Sequence, residues 1–111
     1  MSDEPKLLSS KANNAMKVAL DSAQADKIFT AAIGVTSLYC WKLRKGVPLK
    51  QKQRQRLQGQ LKELSEFNGK ELSRFSRKRI EAGKAVILLV LSVSKRYEKL
   101  YREEQKETSN D

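Results

Sequence analysis

Two segments without any charged residue constrain the fold of this chain most strongly. The first covers residues 28–41 (IFTAAIGVTSLYCW) and the second covers residues 85–94 (AVILLVLSVS), whereas charged residues make up 32% of the whole chain. On a helix, both segments are apolar or small on every side, and such a helix must be surrounded by protein or by lipid. Three helices cannot enclose two of their own members. The sequence therefore predicts that lipid, an oligomer or a protein partner covers part of this molecule.

Long stretches without helix-breaking residues predict an all-α fold. Only two prolines and five glycines occur in 111 residues, and no alternating β pattern is present. Gly46 is suited to end a first helix, and Pro48 is suited to begin a second one. We therefore predict three helices, at about 10–45, 48–67 and 69–105.

The boundary between the second and third helices is predicted near Asn68 and Gly69. Asn68 is a favourable N-cap, and Glu71 three residues later completes a capping-box pattern. The alternative is one continuous helix, since the apolar stripe of the second helix nearly continues to Phe75. The helices are expected to form a single domain, residues 1–111, with flexible tails at 1–9 and 106–111.

The net charge of +10 is concentrated in the middle of the chain. Residues 42–84 carry fourteen basic and four acidic residues, whereas the segments before and after them are neutral. Both a nucleic-acid-binding protein and a membrane protein with one loop on the cytoplasmic or matrix side have such a distribution. The candidate contacts with anionic lipid or nucleic acid are Lys42, Arg44, Lys45, Lys50, Lys52, Arg54, Arg56, Arg74, Arg77, Lys78 and Arg79.

The flanks of the first charge-free segment favour a membrane. Tyr39 and Trp41 lie at its C-terminal end, where interfacial aromatic residues are typical, and three cations follow closely, as the positive-inside rule expects. Thr30 and Gly34 form a small-xxx-small pair that would let another helix approach. Fourteen helical residues extend about 21 Å, less than the roughly 30 Å hydrocarbon core, so snorkelling lysines would have to supply the rest. The competing interpretation is a buried core helix, the usual meaning of so short an apolar run.

The second charge-free segment is shorter and more hydrophobic, and basic residues also bracket it. Two such segments on either side of a basic region predict a long helical hairpin, with both termini on one side of a membrane. The candidate membrane-contact or helix-packing residues are Ile28, Phe29, Thr30, Gly34, Leu38, Tyr39, Trp41, Val86, Leu89, Val90 and Val93.

The sequence offers little for catalysis. The chain has no histidine, the commonest general base and metal ligand. Its one cysteine, Cys40, lies inside an apolar run, where a thiol is expected to be inert. No Gly-rich phosphate-binding loop occurs. We therefore expect no enzyme activity, no metal and no cofactor.

These observations predict a non-catalytic, membrane-attached helical hairpin that acts as a scaffold, an assembly factor or a membrane-shaping adaptor. Its expected partners are membrane lipids and either a protein partner or further copies of the chain, with the basic region facing the cytoplasm or the matrix. One alternative is a soluble basic helical module that binds nucleic acid. Another is a soluble subunit whose apolar segments are buried by protein partners.

Overall fold

The computed structural model describes the backbone of residues 9–109 and the side chains of residues 9–104. Three α-helices make up most of it: α1 covers Ser10–Arg44, α2 covers Gln51–Ser65 and α3 covers Arg74–Ser109. The described residues contain no strand, so the prediction of an all-α fold with three helices is confirmed. Of the predicted tails, residues 1–8 and 110–111 lie outside the described residues, whereas residues 106–109 belong to α3 rather than to a tail.

Serine side chains cap the beginnings of α1 and α3. At the start of α1, the N–H of Ala12 donates a hydrogen bond of 3.1 Å to Ser9 Oγ. At the start of α3, the N–H of Ser76 donates a hydrogen bond of 3.2 Å to Ser73 Oγ. The N-cap predicted at Asn68 is therefore wrong, because Ser73 accepts a hydrogen bond from an otherwise unpaired N–H group of the first turn of α3.

The connections on either side of α2 follow the glycines. Gly46 ends α1 with a φ of 76°, as predicted, and Gly69 has a φ of 86° after the end of α2. The alternative of one continuous helix through this second position is therefore wrong. Pro48 lies in the connection rather than at the start of α2. α2 therefore begins later than predicted. The N–H of Lys50, just before the helix, donates a hydrogen bond of 2.9 Å to Gln53 Oε1 in its first turn.

α1 and α3 run in the same direction. Near the start of α3, the N–H of Ser73 donates a hydrogen bond of 2.8 Å to Ser22 Oγ of α1. Farther along α3, Ser94 Oγ accepts a hydrogen bond of 2.9 Å from the N–H of Leu49, which follows α1. Residue numbers therefore rise together along both helices, and the two charge-free segments lie side by side.

Each pair of consecutive helices forms an antiparallel hairpin, with α2 running back between α1 and α3. Arg54 near the start of α2 pairs with Glu98, whereas the Phe67 carbonyl oxygen beyond its end accepts a hydrogen bond of 3.2 Å from Arg77. The molecule is elongated, 85 Å long and 19 Å by 18 Å across. The predicted hairpin packing thus holds for neighbouring helices. The prediction placed both termini on one side of a membrane; within the bundle, α1 and α3 are parallel, so their free ends lie at opposite ends.

Small residues in two regularly spaced rows let α1 and α3 pack closely. The inward row of α1 consists of Ser22, Ala25, Phe29, Ala32, Thr36, Tyr39 and Leu43. The inward row of α3 consists of Ser76, Ile80, Gly83, Ile87, Val90 and Ser94. Alternating steps of three and four residues are the spacing by which two helices keep one seam in contact. α2 completes the core with the fully buried Leu57 and Leu64.

A polar network fixes the start of α3 against α1. Ser76 Oγ donates a hydrogen bond of 2.9 Å to Asp26 Oδ1, and Arg79 pairs with Asp26 Oδ2 at 3.2 Å. Ser22 is buried beside them and holds the N–H of Ser73. A shift of α3 along α1 would leave the buried hydroxyl groups of Ser22 and Ser76 without partners, which is costly. The network therefore sets the register of the two helices.

Two glycines give a matched test of the close packing between helices. A Cβ atom at Gly83 would lie 3.1 Å from Phe29 Cδ1 and 3.2 Å from Leu64 Cδ1, whereas one at Gly59 would meet nothing within 4 Å. Both glycines are inside helices, where alanine is favoured over glycine by about 1 kcal/mol. We expect Gly59→Ala to raise the free energy of unfolding by roughly this amount in urea denaturation. Gly83→Ala should gain clearly less, because the new methyl group displaces packed side chains. Equal gains would contradict the packing.

Candidate functional site

No metal centre is assembled among the described side chains, since no group of three His, Cys, Asp or Glu residues there could hold an ion. Within the same part of the chain, no helix has a stretch that is both long and apolar enough to cross a bilayer. Exposed hydrophobic side chains are the most distinctive surface feature. They lie mainly in two rows, one on α1 and one on α3.

The first row lies on the outer side of α1. Its large members are Met16, Leu20, Leu38 and Trp41. Leu38 is 65% exposed and Trp41 is 63% exposed, and the exposed Gly34 lies in the same row. At 100° per residue, this row is on the opposite side of α1 from the core row. The first charge-free segment is therefore apolar all round because it supplies both the core and an outer face.

The second row runs along α3. Its large members are Phe75, Val86, Leu89 and Leu100. Phe75 is 76% exposed and Leu89 is 63% exposed. Val86, the half-buried Val93 and Leu100 follow one another at intervals of seven residues, so the row runs nearly straight along the helix.

The two rows lie near the same edge of the contact between α1 and α3. The ion pair between Asp26 and Arg79 marks the outer edge of the contact between α1 and α3. At 100° per residue, Trp41 lies about 60° around α1 from Asp26, and Leu89 lies about 80° around α3 from Arg79. Both lie on the side away from the contact. The side chains of α3 that reach α2, such as Arg77, are on the other side of that helix. The row on α3 therefore points away from α2, and the row on α1 lies outward of the same edge of the contact; we call the two rows together the α1–α3 face.

Cations border the α1–α3 face. Lys27 and Lys45 lie in or beside the row on α1, and Lys78 and Arg96 lie beside the row on α3, all of them exposed. The carboxylate of Asp26 at the centre is already engaged by α3. The α1–α3 face therefore has exposed apolar side chains in its middle and cations along its border.

The structure divides the predicted membrane-contact residues between the core and the α1–α3 face. The buried or half-buried members are Ile28, Phe29, Tyr39, Val90 and Val93. The exposed members are Thr30, Gly34, Leu38, Trp41, Val86 and Leu89. Thr30 also donates a hydrogen bond of 2.9 Å to the Asp26 carbonyl oxygen, which satisfies its hydroxyl within the helix.

The alternating cations at the start of α2 do not form one patch. Residues two apart on a helix point about 200° away from each other. Arg54 turns inward, is partly buried and pairs with Glu98 of α3. Lys52 and Arg56 are exposed on the outer side of α2, and Lys50 precedes the helix. The four predicted contacts are therefore divided between a structural role and the surface.

The cations at the start of α3 are divided in the same way. Arg77 donates hydrogen bonds to the carbonyl oxygens of Phe67 and Lys70, and Arg79 pairs with Asp26 of α1. Arg74 and Lys78 are exposed beside Phe75. Arg79 is exposed as well but is engaged by Asp26, so Arg74 and Lys78 are the cations of this group most available to a ligand.

The cations predicted as ligand contacts around the connection between α1 and α2 lie close to further cations of α3 that were not predicted. Arg44 stacks over the ring of Trp41, with 5.0 Å from its guanidinium carbon to the ring centre. An additional face of α3 is lined by Ser92, Lys95, Arg96, Lys99, Arg102 and Glu103, so four cations and one carboxylate share it. The hydrogen bond between Leu49 and Ser94 brings this face to the level of the connection. This face was not predicted, because residues 85–111 have no net charge. The spacing of its cations, at intervals of three and four residues, would have indicated it.

Neutral substitutions should distinguish a structural cation from a free one. Arg54→Gln removes the ion pair with Glu98, whereas Lys52→Gln removes an exposed charge two residues away. We expect Arg54→Gln to lower the free energy of unfolding by about 1 kcal/mol and Lys52→Gln to change it by less than about 0.5 kcal/mol. Urea denaturation of both variants measures the difference. If the two variants are equally stable, the ion pair does not stabilise the fold.

Comparison with known proteins gives no relative for this chain. No family model, no curated protein and no solved structure matches it. Its function is therefore inferred from its own surface.

Proposed function

We propose that this chain is a non-catalytic adaptor that attaches to an anionic membrane surface through the α1–α3 face. The observation that carries the proposal is the collection of large exposed hydrophobic side chains into one face with a cationic border. Contiguous exposed apolar surface of this kind marks a site of interaction with protein or with membrane. In the attached state, the outer side of α2 would face the aqueous side, cytoplasm or matrix, where a protein partner can dock.

A lipid surface suits the cationic border better than a second copy of the chain does. Two copies packed through the α1–α3 face would bring Lys27, Lys45, Lys78 and Arg96 close to the same cations of the other copy. The nearby carboxylate of Asp26 is already paired within the chain and offers little compensation. Anionic headgroups, by contrast, attract each cation near the surface by about 1 kcal/mol.

The arrangement of the apolar side chains favours attachment by a face. Each row occupies one side of its helix, with the core row on another side, so α1 and α3 each present an apolar side to the outside of the bundle. Amphipathic helices lie in the membrane plane with their apolar side buried at the boundary between headgroups and acyl chains. Burying one leucine contributes about 1.5–3 kcal/mol, so several such side chains are sufficient for stable attachment.

A nucleic-acid-binding module is the second candidate, and the cationic face of α3 favours it. That face and the exposed cations of α2 would supply phosphate contacts. Of the three large exposed aromatic residues among the described side chains, Phe75 and Trp41 belong to the α1–α3 face, and Tyr101 points about 100° away from Arg102 around α3. The cationic face itself is therefore poor in groups for base stacking. A third candidate is a subunit whose α1–α3 face is covered by a protein partner.

Two neighbouring leucines of α3 provide a matched test of membrane attachment. Leu89 belongs to the α1–α3 face, whereas Leu88 is also exposed, by 54%, but points about 100° away. We expect Leu89→Glu to weaken flotation with phosphatidylcholine–phosphatidylserine vesicles by about tenfold or more, since it replaces a buried apolar contact with a charge. Leu88→Glu should float like the unmodified chain.

The other outcomes of the flotation test separate the remaining candidates. Equal loss of flotation in both variants would contradict attachment by this particular face. Failure of the unmodified chain to float, together with salt-sensitive binding to oligonucleotides, would favour the nucleic-acid candidate. A detergent-free monomer that binds neither vesicles nor oligonucleotides would leave a protein partner as the ligand of the face.

A further inference from the structure

A groove at the edge of the α1–α3 face combines apolar and cationic side chains. Its lining consists of Leu38, Tyr39, Trp41, Lys42, Lys45 and Gln53. The first four come from the last two turns of α1, Lys45 is the C-cap residue that follows it, and Gln53 comes from the first turn of α2. The groove therefore lies where the chain reverses direction between the two helices.

The polar groups of this groove are hydrogen-bond donors. Lys42 and Lys45 each present an ammonium group with three N–H bonds. The side-chain oxygen of Gln53 already accepts a hydrogen bond of 2.9 Å from the N–H of Lys50, which leaves its NH2 group free to donate. The hydroxyl of Tyr39 can also donate. No carboxylate is among the described residues that line the groove, so its chemistry suits an anion.

The positive charge around the groove is not compensated locally. Between Asp26 and Glu63 the sequence contains nine basic residues and no acidic residue. Glu98 of α3 reaches this end of the bundle, but its carboxylate is engaged by Arg54 and Arg102. An anion in the groove therefore meets ammonium groups without a competing carboxylate.

The apolar part of the lining shows that a simple inorganic anion would use only half of the groove. Leu38 and Trp41 are both more than half exposed beside the two lysines. Arg44 lies over the ring of Trp41 at 5.0 Å, an interaction that restrains the ring. A ligand that covers the whole lining needs an anionic head next to an apolar body.

We propose that the groove binds the phosphomonoester headgroup of a lipid of the phosphatidic acid type. Lys42, Lys45 and Gln53 contact the phosphate, and Leu38 and Trp41 contact the glycerol and the upper acyl chains. A phosphomonoester carries a charge of about −1.5 to −2 and three acceptor oxygens, which matches two ammonium groups and an amide donor. The headgroup of phosphatidylserine carries a phosphodiester and its own ammonium group, so it fits this donor set less well. The inference rests on the proposed membrane attachment and names the lipid that it prefers.

The groove can be tested first without a membrane. Trp41 is the one tryptophan of the chain, so its fluorescence reports on the groove directly. We expect short-chain phosphatidic acid, below its micelle concentration, to shift the emission to shorter wavelength with saturation. Short-chain phosphatidylcholine should cause no such shift, and glycerol 3-phosphate should bind at least about tenfold more weakly, since it lacks the apolar body. No shift with phosphatidic acid, or equal binding of glycerol 3-phosphate, would overturn the proposal.

Two double variants of equal charge then separate the groove from the rest of the surface. Lys42→Gln with Lys45→Gln removes both groove cations, whereas Lys52→Gln with Lys62→Gln removes two exposed cations of α2. The vesicles are phosphatidylcholine with an equal mole fraction of phosphatidic acid or phosphatidylserine. We expect the unmodified chain and the α2 variant to prefer phosphatidic acid by about fivefold, and the groove variant to lose this preference while still floating.

The vesicle result distinguishes the two proposals. Equal flotation of the unmodified chain on both vesicles would overturn the groove's preference and leave membrane attachment supported. Flotation on neither would overturn membrane attachment, and the short-chain titration would then decide on the groove alone. Loss of the preference in the α2 variant as well as in the groove variant would overturn the proposal, because general positive charge would explain it.

Discussion

The close contact between α1 and α3 through small side chains is the constraint on which the rest of the structure depends. Ala25 and Ala32 of α1 are fully buried, and Gly83 of α3 leaves room for Phe29 and Leu64. Because small residues occupy much of the inward rows, many large apolar side chains of the same segments turn outward. The core and the exposed apolar face are thus two sides of the same pair of helices.

Electrostatic interactions divide the cations of this chain into two groups. Arg54, Arg77 and Arg79 hold the helices together through Glu98, carbonyl oxygens and Asp26. The others remain at the surface, where some border the apolar face and some lie on the opposite side of the bundle. A strongly basic composition therefore overstates the charge that any single ligand can meet.

Much of the fold follows from local rules that the sequence displays. Gly46 and the region of Gly69 end helices because they adopt left-handed backbone conformations. The cap of α3 was misplaced because Asn68 and Ser73 both have capping side chains, and only tertiary contacts with Ser22 select the serine.

The direction of α3 relative to α1, and the division of the basic patch, depend on pairing between helices. Periodicity within one helix does not specify which other helix its apolar side meets, so two charge-free segments alone did not reveal a parallel pair. The alternation of cations from Lys50 to Arg56 did indicate that the patch is divided, since residues two apart cannot share one helix face. The α1–α3 face was only partly predictable, because exposed and buried members of each segment are equally apolar in sequence.

The central claim is that the α1–α3 face contacts the acyl region of an anionic membrane. Quenching of Trp41, the one tryptophan of the chain, tests it most directly. In phosphatidylcholine–phosphatidylserine vesicles whose acyl chains carry bromine near the headgroup, its fluorescence should be quenched, and it should become protected from aqueous iodide. Emission that is unchanged by brominated lipid, with full quenching by iodide in the presence of vesicles, would contradict the account.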